Sequence, residues 1–132
     1  MDRVTHELIR SYLAKARDKV RVARELRDLG EWDDAVSRAY YGALHAAQAA
    51  LLTEGQRADT HRGVVVLFGL LLVKPGKLDR RWGKFLANLK DDRETSDYDP
   101  VSYIDEATAR RAVAEAEEFV EAVDRYVATL TS

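Results

Sequence analysis

The chain has 132 residues, enough for one folded domain that buries about two-thirds of the surface exposed by its unfolded chain. It contains no cysteine, which excludes disulfides and thiolate chemistry and suits a reducing cytoplasm. The net charge is −2. The longest apolar run, residues 64–73, is far shorter than the roughly 20 residues that span a bilayer. The sequence also shows no signal-peptide pattern. These features predict a cytoplasmic protein without a membrane segment.

Two amphipathic helices with a short link between them are predicted in the first half of the chain. The first begins at about Thr5, a plausible N-cap, and ends at Leu29, with Gly30 as the residue that stops it. The second begins near Asp33 and ends at about Thr53. So short a link favours an antiparallel hairpin.

The second predicted helix has two sides that suit burial. One side is a stripe of small residues, Ala39, Gly42, Ala43, Ala46 and Ala50. The adjacent side is an apolar stripe, Tyr40, Leu44, Ala47 and Leu51, and a third edge holds Tyr41, His45 and Gln48. The small stripe would let another helix approach closely. A helix of this kind belongs in the middle of a bundle, with Tyr40 assigned to core or dimer packing.

The segment 60–73 is ambiguous between strand and helix. Residues 64–68 are β-branched and aromatic, which favours a strand by propensity. No second strand candidate exists to pair with it, and an isolated strand is not stable. Thr60 can cap a helix, so a third helix is predicted, after a polar loop at 55–59 and before a turn at 74–77.

The last third of the chain predicts a short fourth helix over 78–89, an irregular stretch over 90–103, and a final helix from Asp105 to about Leu130. The fold class is therefore all-α, an up-and-down bundle of four to five helices in a single domain, 1–132. A tetratricopeptide-like string at 29–35 suggests a solenoid instead, but it occurs once, and such repeats need several copies.

Three short motifs follow one another along the chain. They are Arg38-Ala39-Tyr40-Tyr41, then Thr60-His61-Arg62-Gly63 with Phe68 beyond, then Arg93 followed by Asp97-Tyr98. In this order they resemble the Tyr-Tyr subgroup of the HEPN family, small helical domains found in prokaryotic toxin–antitoxin pairs. The resemblance covers roughly residues 5–130. It implies a homodimer with a cleft where, in active members, the arginine motif supports RNA cleavage.

Active HEPN ribonucleases carry a histidine four to six residues after that arginine. Here Asp97 and Tyr98 follow Arg93 and no histidine does. Arginine matches phosphate geometry and stays charged, whereas Tyr98, with an ordinary pKa of about 10, is a poor base at neutral pH. His61 is the alternative proton-transfer group, at a helix start that favours phosphate. The catalytic candidates are therefore Arg93, Tyr98 and His61.

The substrate-binding candidates are Arg38, Tyr41, Lys90 and Asp97. Residues 74–93 carry seven basic against three acidic side chains, while 94–132 carry ten acidic against three basic ones. This basic segment suits an RNA-facing cleft, and it equally suits a solvated helix face. An ion pair of Arg93 with a nearby aspartate, and a buried Tyr98 ring, are the structural alternatives to a site.

Three functions are consistent with these residues. The favoured one is a HEPN protein that binds RNA or nucleotide in a dimer cleft. Its partner, implied by the resemblance, is a minimal nucleotidyltransferase antitoxin, with Tyr98 and Tyr103 as modification targets. The others are a metal-independent ribonuclease toxin that uses Arg93, and a structural helical dimer without a ligand. No cofactor or metal is predicted, because the three histidines share no metal-ligand spacing.

Overall fold

The computed structural model describes residues 1–98 and 104–130, with side chains for 1–94 and 104–130. The helices are α1 (Arg3–Asp28), α2 (Trp32–Leu52), α3 (His61–Phe68), which continues as a π-helical turn (Gly69–Val73), α4 (Arg80–Tyr98) and α5 (Glu106–Leu130). No strand occurs in the described ranges, and the ambiguous segment 64–68 is helical. The predicted all-α bundle is confirmed, with five helices in the part of the chain that the structure describes.

Side-chain caps determine where three of the helices begin. The side-chain oxygens of Asp2, Thr60 and Asp105 each accept a hydrogen bond from the amide three residues later, at 2.7, 2.9 and 2.8 Å. The predicted caps Thr60 and Asp105 are confirmed. The predicted cap Thr5 is wrong. The carboxylate of Asp2 caps α1, and Thr5 lies within the first turn of the helix.

α1 and α2 form the antiparallel hairpin that the short link predicted. Gly30 adopts a φ of +78°, a conformation that glycine takes without strain, and it ends α1. At the crossing, a Cβ added to Gly42 would lie 2.8 Å from Cγ2 of Val20 and 3.2 Å from the carbonyl oxygen of Ala16. Gly42, one member of the small-residue stripe, therefore lies where α1 packs closely against α2.

α2 lies in the middle of the bundle. Thirteen of its 21 residues are buried, and it contacts α1, α3, α4 and α5. α5 runs antiparallel to α1, as the ion pairs of Arg17 with Asp124 (2.8 Å) and Arg24 with Glu117 (3.6 Å) show. Between α3, α4 and α5 the rings of Phe68, Trp82, Phe85 and Phe119 pack together. Across the described residues, no helix has the length and apolarity to cross a membrane.

α4 extends well beyond its predicted end. The prediction placed its last residue at Leu89 and an irregular stretch after it, but the helix continues to Tyr98. Lys90 and Glu94 form an ion pair one turn apart (2.5 Å), which supports the helix where apolar spacing is absent. Because Arg93 follows the buried Leu89 by one turn, its side chain lies on the face that packs toward α2.

Candidate functional site

Side chains from the three sequence motifs meet at one end of the contact between α2, α3 and α4. The tyrosine doublet lies in the middle of α2, His61 begins α3, and Arg93 lies in the second half of α4. We call this group the Arg93 cluster; its members are Tyr40, Tyr41, His61, Lys90, Arg93 and Glu94.

The guanidinium of Arg93 is held by both tyrosines of the doublet. Its Nη2 donates a hydrogen bond to the hydroxyl oxygen of Tyr41 at 2.9 Å. Its Cζ lies 5.3 Å from the ring centroid of Tyr41 and 5.5 Å from that of Tyr40, within the range of cation–π attraction. The charge is thus fixed in direction against two aromatic faces, instead of extending into solvent.

Tyr40 is fully buried, as its assignment to the core predicted, but its hydroxyl was not anticipated as part of the site. The hydroxyl oxygen is buried and has no hydrogen-bond partner within the described ranges 1–98 and 104–130. Burial raises the pKa of Tyr40 to about 12; Arg93 opposes this shift, while Glu94 and Tyr41 add to it. At neutral pH the group is therefore protonated and can donate. The only signal in the sequence was a tyrosine where a phenylalanine would fill a core position.

His61 packs against the doublet. Its ring centroid lies 5.5 Å from that of Tyr40 and 6.0 Å from that of Tyr41, with the second pair edge to face. Burial lowers the pKa of His61, and the positive charges of Arg93 and Lys90 lower it further, against the opposing charge of Glu94. The imidazole is neutral at pH 7 and able to accept a proton.

Glu94 is the acidic member of the cluster, and none of the three sequence motifs includes it. Its Oε1 accepts a hydrogen bond from Nζ of Lys90, and this bond lowers the pKa of Glu94, so the carboxylate is ionised at neutral pH. The available signal was the four-residue spacing from Lys90. Lys90, a predicted binding residue, thus reaches the cluster as half of an ion pair.

The remaining predicted site residues are placed differently. Arg38 is exposed, one turn before Tyr41, and these two residues line an open groove of about 320 Å³ with Ser37. Arg38 therefore borders the cluster without joining it. Asp97 and Tyr98 belong to the last turn of α4, but their side chains lie outside the described residues, as does all of Tyr103.

The basic segment 74–93 does not form one continuous surface. Lys77 and Arg81 pair with glutamates of other elements, Glu54 and Glu118, at 2.7 and 2.8 Å, and Arg81 also stacks on Trp82. Of the seven basic residues, Lys90 and Arg93 belong to the cluster. Residues 1–98 and 104–130 contain no group of three histidine or acidic side chains placed to hold a metal ion.

The arrangement offers a fixed cation, a neutral imidazole and partly exposed aromatic rings within one small volume. A guanidinium fits the oxygens of a phosphate. Partly exposed rings such as those of Tyr41 and His61 can stack on a nucleobase. Positive charge beside aromatic rings is the combination found in sites that bind single-stranded nucleic acids.

Comparison with known proteins agrees with the motif order. The model of the HEPN domain family matches residues 9–126. A UPF0332 protein of Thermotoga maritima is 28% identical over 124 residues, which cover 94% of each chain. A candidate toxin of Methanocaldococcus jannaschii is 31% identical over 90% of this chain and 88% of its own. A UPF0332 protein of Archaeoglobus fulgidus is 33% identical over 83% and 86%. The chain belongs to the HEPN domain family.

Proposed function

We propose that this HEPN protein belongs to a toxin–antitoxin-type system and binds RNA, or a nucleotide, at the Arg93 cluster. Two relatives, 31% and 26% identical, are named as candidate toxins, which supports the system type. The observation that carries the binding role is the position of the Arg93 guanidinium, hydrogen-bonded to Tyr41 and packed against both rings of the doublet.

A fixed guanidinium is well suited to a phosphate. Its planar fork matches two phosphate oxygens, and it stays charged at every physiological pH. Because Tyr41 already holds the side chain, little conformational freedom is lost when a ligand binds, and this increases affinity. The adjacent rings of Tyr41 and His61 provide stacking surface for a base that belongs to the bound phosphate.

The partners remain those that the sequence predicted. We expect a homodimer, and the apolar side chains of Val66 and Leu70, exposed by 50% and 51% one turn apart on one helical face, offer surface for a second copy. By resemblance to the family, the antitoxin is a minimal nucleotidyltransferase, with Tyr98 and Tyr103 as modification targets. A cytoplasmic location is part of the same proposal.

A metal-independent ribonuclease is the second candidate, and the position of His61 favours it. The histidine expected after Arg93 is absent, yet His61 reaches the same cluster from α3 as a neutral imidazole. In such a reaction His61 takes the proton of the 2′-hydroxyl, whose oxygen attacks the adjacent phosphorus, and Arg93 stabilises the added negative charge. The bond from phosphorus to the 5′-oxygen breaks, and the 5′-oxygen takes up a proton from solvent water, which leaves a 2′,3′-cyclic phosphate and a free 5′-hydroxyl.

One experiment separates these functions. Binding of a labelled single-stranded oligoribonucleotide is measured by fluorescence anisotropy in EDTA, and the same samples are run on a denaturing gel. The variants are Arg93→Ala, His61→Ala and, as a control, Arg80→Ala, an exposed arginine of α4 outside the cluster. Circular dichroism establishes that each variant is folded.

Binding without cleavage, lost in Arg93→Ala and kept in Arg80→Ala, supports the binding protein. Cleavage that both Arg93→Ala and His61→Ala abolish establishes the ribonuclease. Failure of the folded wild-type protein to bind the oligoribonucleotide, or a labelled nucleotide titrated in the same way, would overturn both and leave the structural dimer.

A further inference from the structure

The hydroxyl of Tyr40 is an exception to a strong rule. Nearly all buried polar side-chain atoms in folded proteins have a hydrogen-bond partner, because removal from water without one is unfavourable. Tyr40 is 0% exposed, and among the side chains and backbone that the structure describes its hydroxyl has no hydrogen-bond partner. A phenylalanine would fill the same space without this cost, so the hydroxyl calls for an explanation beyond packing.

Charged side chains of the Arg93 cluster act on the hydroxyl of Tyr40. The charged groups that act on it are those of Arg93 and Glu94 on α4, and the neighbouring phenol of Tyr41 also acts on it. The guanidinium carbon lies 5.5 Å from the ring centroid of Tyr40, and the ring of His61 lies at the same distance on α3. An unsatisfied donor thus stands beside the cation that the proposed function assigns to a phosphate.

We propose that the Tyr40 hydroxyl is a ligand-binding group, which donates a hydrogen bond to the phosphate held by Arg93. This inference rests on the proposed function and deepens it, because it assigns different roles to two adjacent tyrosines. Tyr41 accepts from the guanidinium and holds it in place. Tyr40 supports the guanidinium with its ring and donates to the ligand with its hydroxyl.

A phosphate reaches this hydroxyl through a small rearrangement at the surface. The charged or polar side chains near it, on His61, Arg93 and Glu94, are partly exposed, so they form the outer wall of the cluster. Glu94 is held by Lys90 on its own helix, and an incoming anion competes with it for that cation. Rotation of Glu94 toward solvent removes the competing negative charge and opens the way to the hydroxyl.

Substitution by phenylalanine should weaken binding at both tyrosines but lower the stability of the fold at Tyr41 only. Tyr40→Phe keeps the ring and its contacts and removes only a hydroxyl without a partner. The folded protein should therefore be at least as stable as wild type, while RNA binding weakens about 10-fold or more. Tyr41→Phe removes a hydrogen bond that exists, so it should lower the thermal midpoint as well as the affinity.

The test measures affinity for a labelled single-stranded oligouridylate and the thermal midpoint of the full-length protein. Wild type, Tyr40→Phe, Tyr41→Phe and Arg93→Ala are compared, with Tyr126→Phe on α5 as a matched control outside the cluster. Weaker binding by Tyr40→Phe at an unchanged or higher midpoint supports the proposal.

Two results would overturn the role of Tyr40 alone. The first is wild-type affinity in Tyr40→Phe while Arg93→Ala loses binding. The second is a clear fall in the thermal midpoint of Tyr40→Phe, which would mean that the hydroxyl makes a structural hydrogen bond. Absence of binding by wild type would instead overturn the proposed RNA site, and this inference with it.

Discussion

Arg93 and Tyr41 are 52 positions apart in the chain, and a 2.9 Å hydrogen bond from the guanidinium to the phenol oxygen joins them. The bond links α4 to the central helix α2. It exists because α4 stays helical past Leu89, which carries Arg93 one further turn along the face that packs toward α2. The position of the cation therefore depends on a helix extension that the apolar pattern did not predict.

Tyr41→Phe tests the consequence for stability. Loss of the bond to a charged, partly buried group should lower the free energy of unfolding by about 1 kcal/mol. Urea denaturation followed by circular dichroism measures this change, and Tyr40→Phe serves as the control because its hydroxyl has no partner. Equal stability of wild type and Tyr41→Phe would mean that the bond contributes nothing to folding.

Glu94→Gln should strengthen RNA binding. The carboxylate is the negative charge of the cluster, and its pair with Lys90 engages a cation that a phosphate could use. Neutralising it removes repulsion of the ligand, so we expect affinity to rise several-fold at low salt, with a smaller gain at high salt because of screening. Anisotropy titrations at two salt concentrations measure this.

Glu118→Gln is the matched control for that change. Glu118 pairs with Arg81 on another part of the surface, so its neutralisation alters net charge equally without altering the cluster. An equal gain in both variants would attribute the effect to overall charge and contradict a local role of Glu94.

Arg38→Ala should weaken RNA binding and make it less dependent on salt. Arg38 is exposed and borders the groove that starts at Tyr41, so it is placed to contact a second phosphate of the same strand. Loss of one phosphate contact reduces the slope of log affinity against log salt by about 1. If Arg38→Ala changed neither the affinity nor its salt dependence, Arg38 would not belong to the site. Arg38→Lys keeps the positive charge and should keep most of the salt dependence.

Much of the fold could be predicted because local signals agreed with the packing. The helical outcome at residues 64–68 followed from the lack of a partner strand, even though propensity favoured a strand. The end of α4 could not be predicted in this way. Residues 90–98 have no apolar spacing, and what supports the helix there is the pair of Lys90 with Glu94 and the distant partner of Arg93.

The site was predictable as a set of residue types and only partly as a geometry. The motifs selected Tyr41, His61 and Arg93, and the structure brings all three together. Spacing along the chain carries no information about this convergence, which depends on how α2, α3 and α4 pack. The buried hydroxyl of Tyr40 has no signal of its own in the sequence, because a tyrosine at a core position is accounted for equally well by the packing of its ring.

His61 should make folding stability depend on pH. Burial, with help from Arg93 and Lys90, lowers the pKa of His61 in the folded protein, so the unfolded chain takes up its proton at a higher pH. The contribution of His61 to the free energy of unfolding is therefore fully present above the pKa of the unfolded imidazole, about 6.5. It is lost as the pH falls toward the lower pKa of His61 in the folded protein. Thermal midpoints measured between about pH 5 and pH 7.5 reveal this slope.

His61→Gln should flatten that slope without removing it. His45 keeps its own share, because burial, with Lys15 and Lys19, also lowers its pKa. The matched variant His45→Gln should flatten the slope as well, and the double variant should flatten it most. A slope in His61→Gln equal to that of wild type would show that the imidazole titrates alike in the folded and unfolded chains.

Gly42→Ala should destabilise the bundle at the contact of α1 with α2. The new methyl group would lie 2.8 Å from Cγ2 of Val20 and 3.2 Å from the backbone oxygen of Ala16, and the backbone atom cannot move aside cheaply. Overpacking of this kind lowers the free energy of unfolding by about 1–3 kcal/mol. The higher helix propensity of alanine relative to glycine offsets up to about 1 kcal/mol of this loss.

Gly69→Ala provides the control for Gly42→Ala, since a Cβ at Gly69 would have no neighbour within 4 Å. It should leave the free energy of unfolding unchanged or raise it slightly through the lower flexibility of the unfolded chain. Urea denaturation of both variants compares the two sites directly. If Gly42→Ala were as stable as Gly69→Ala, α1 and α2 would have to separate without cost, and the small-residue stripe would not determine how closely they pack.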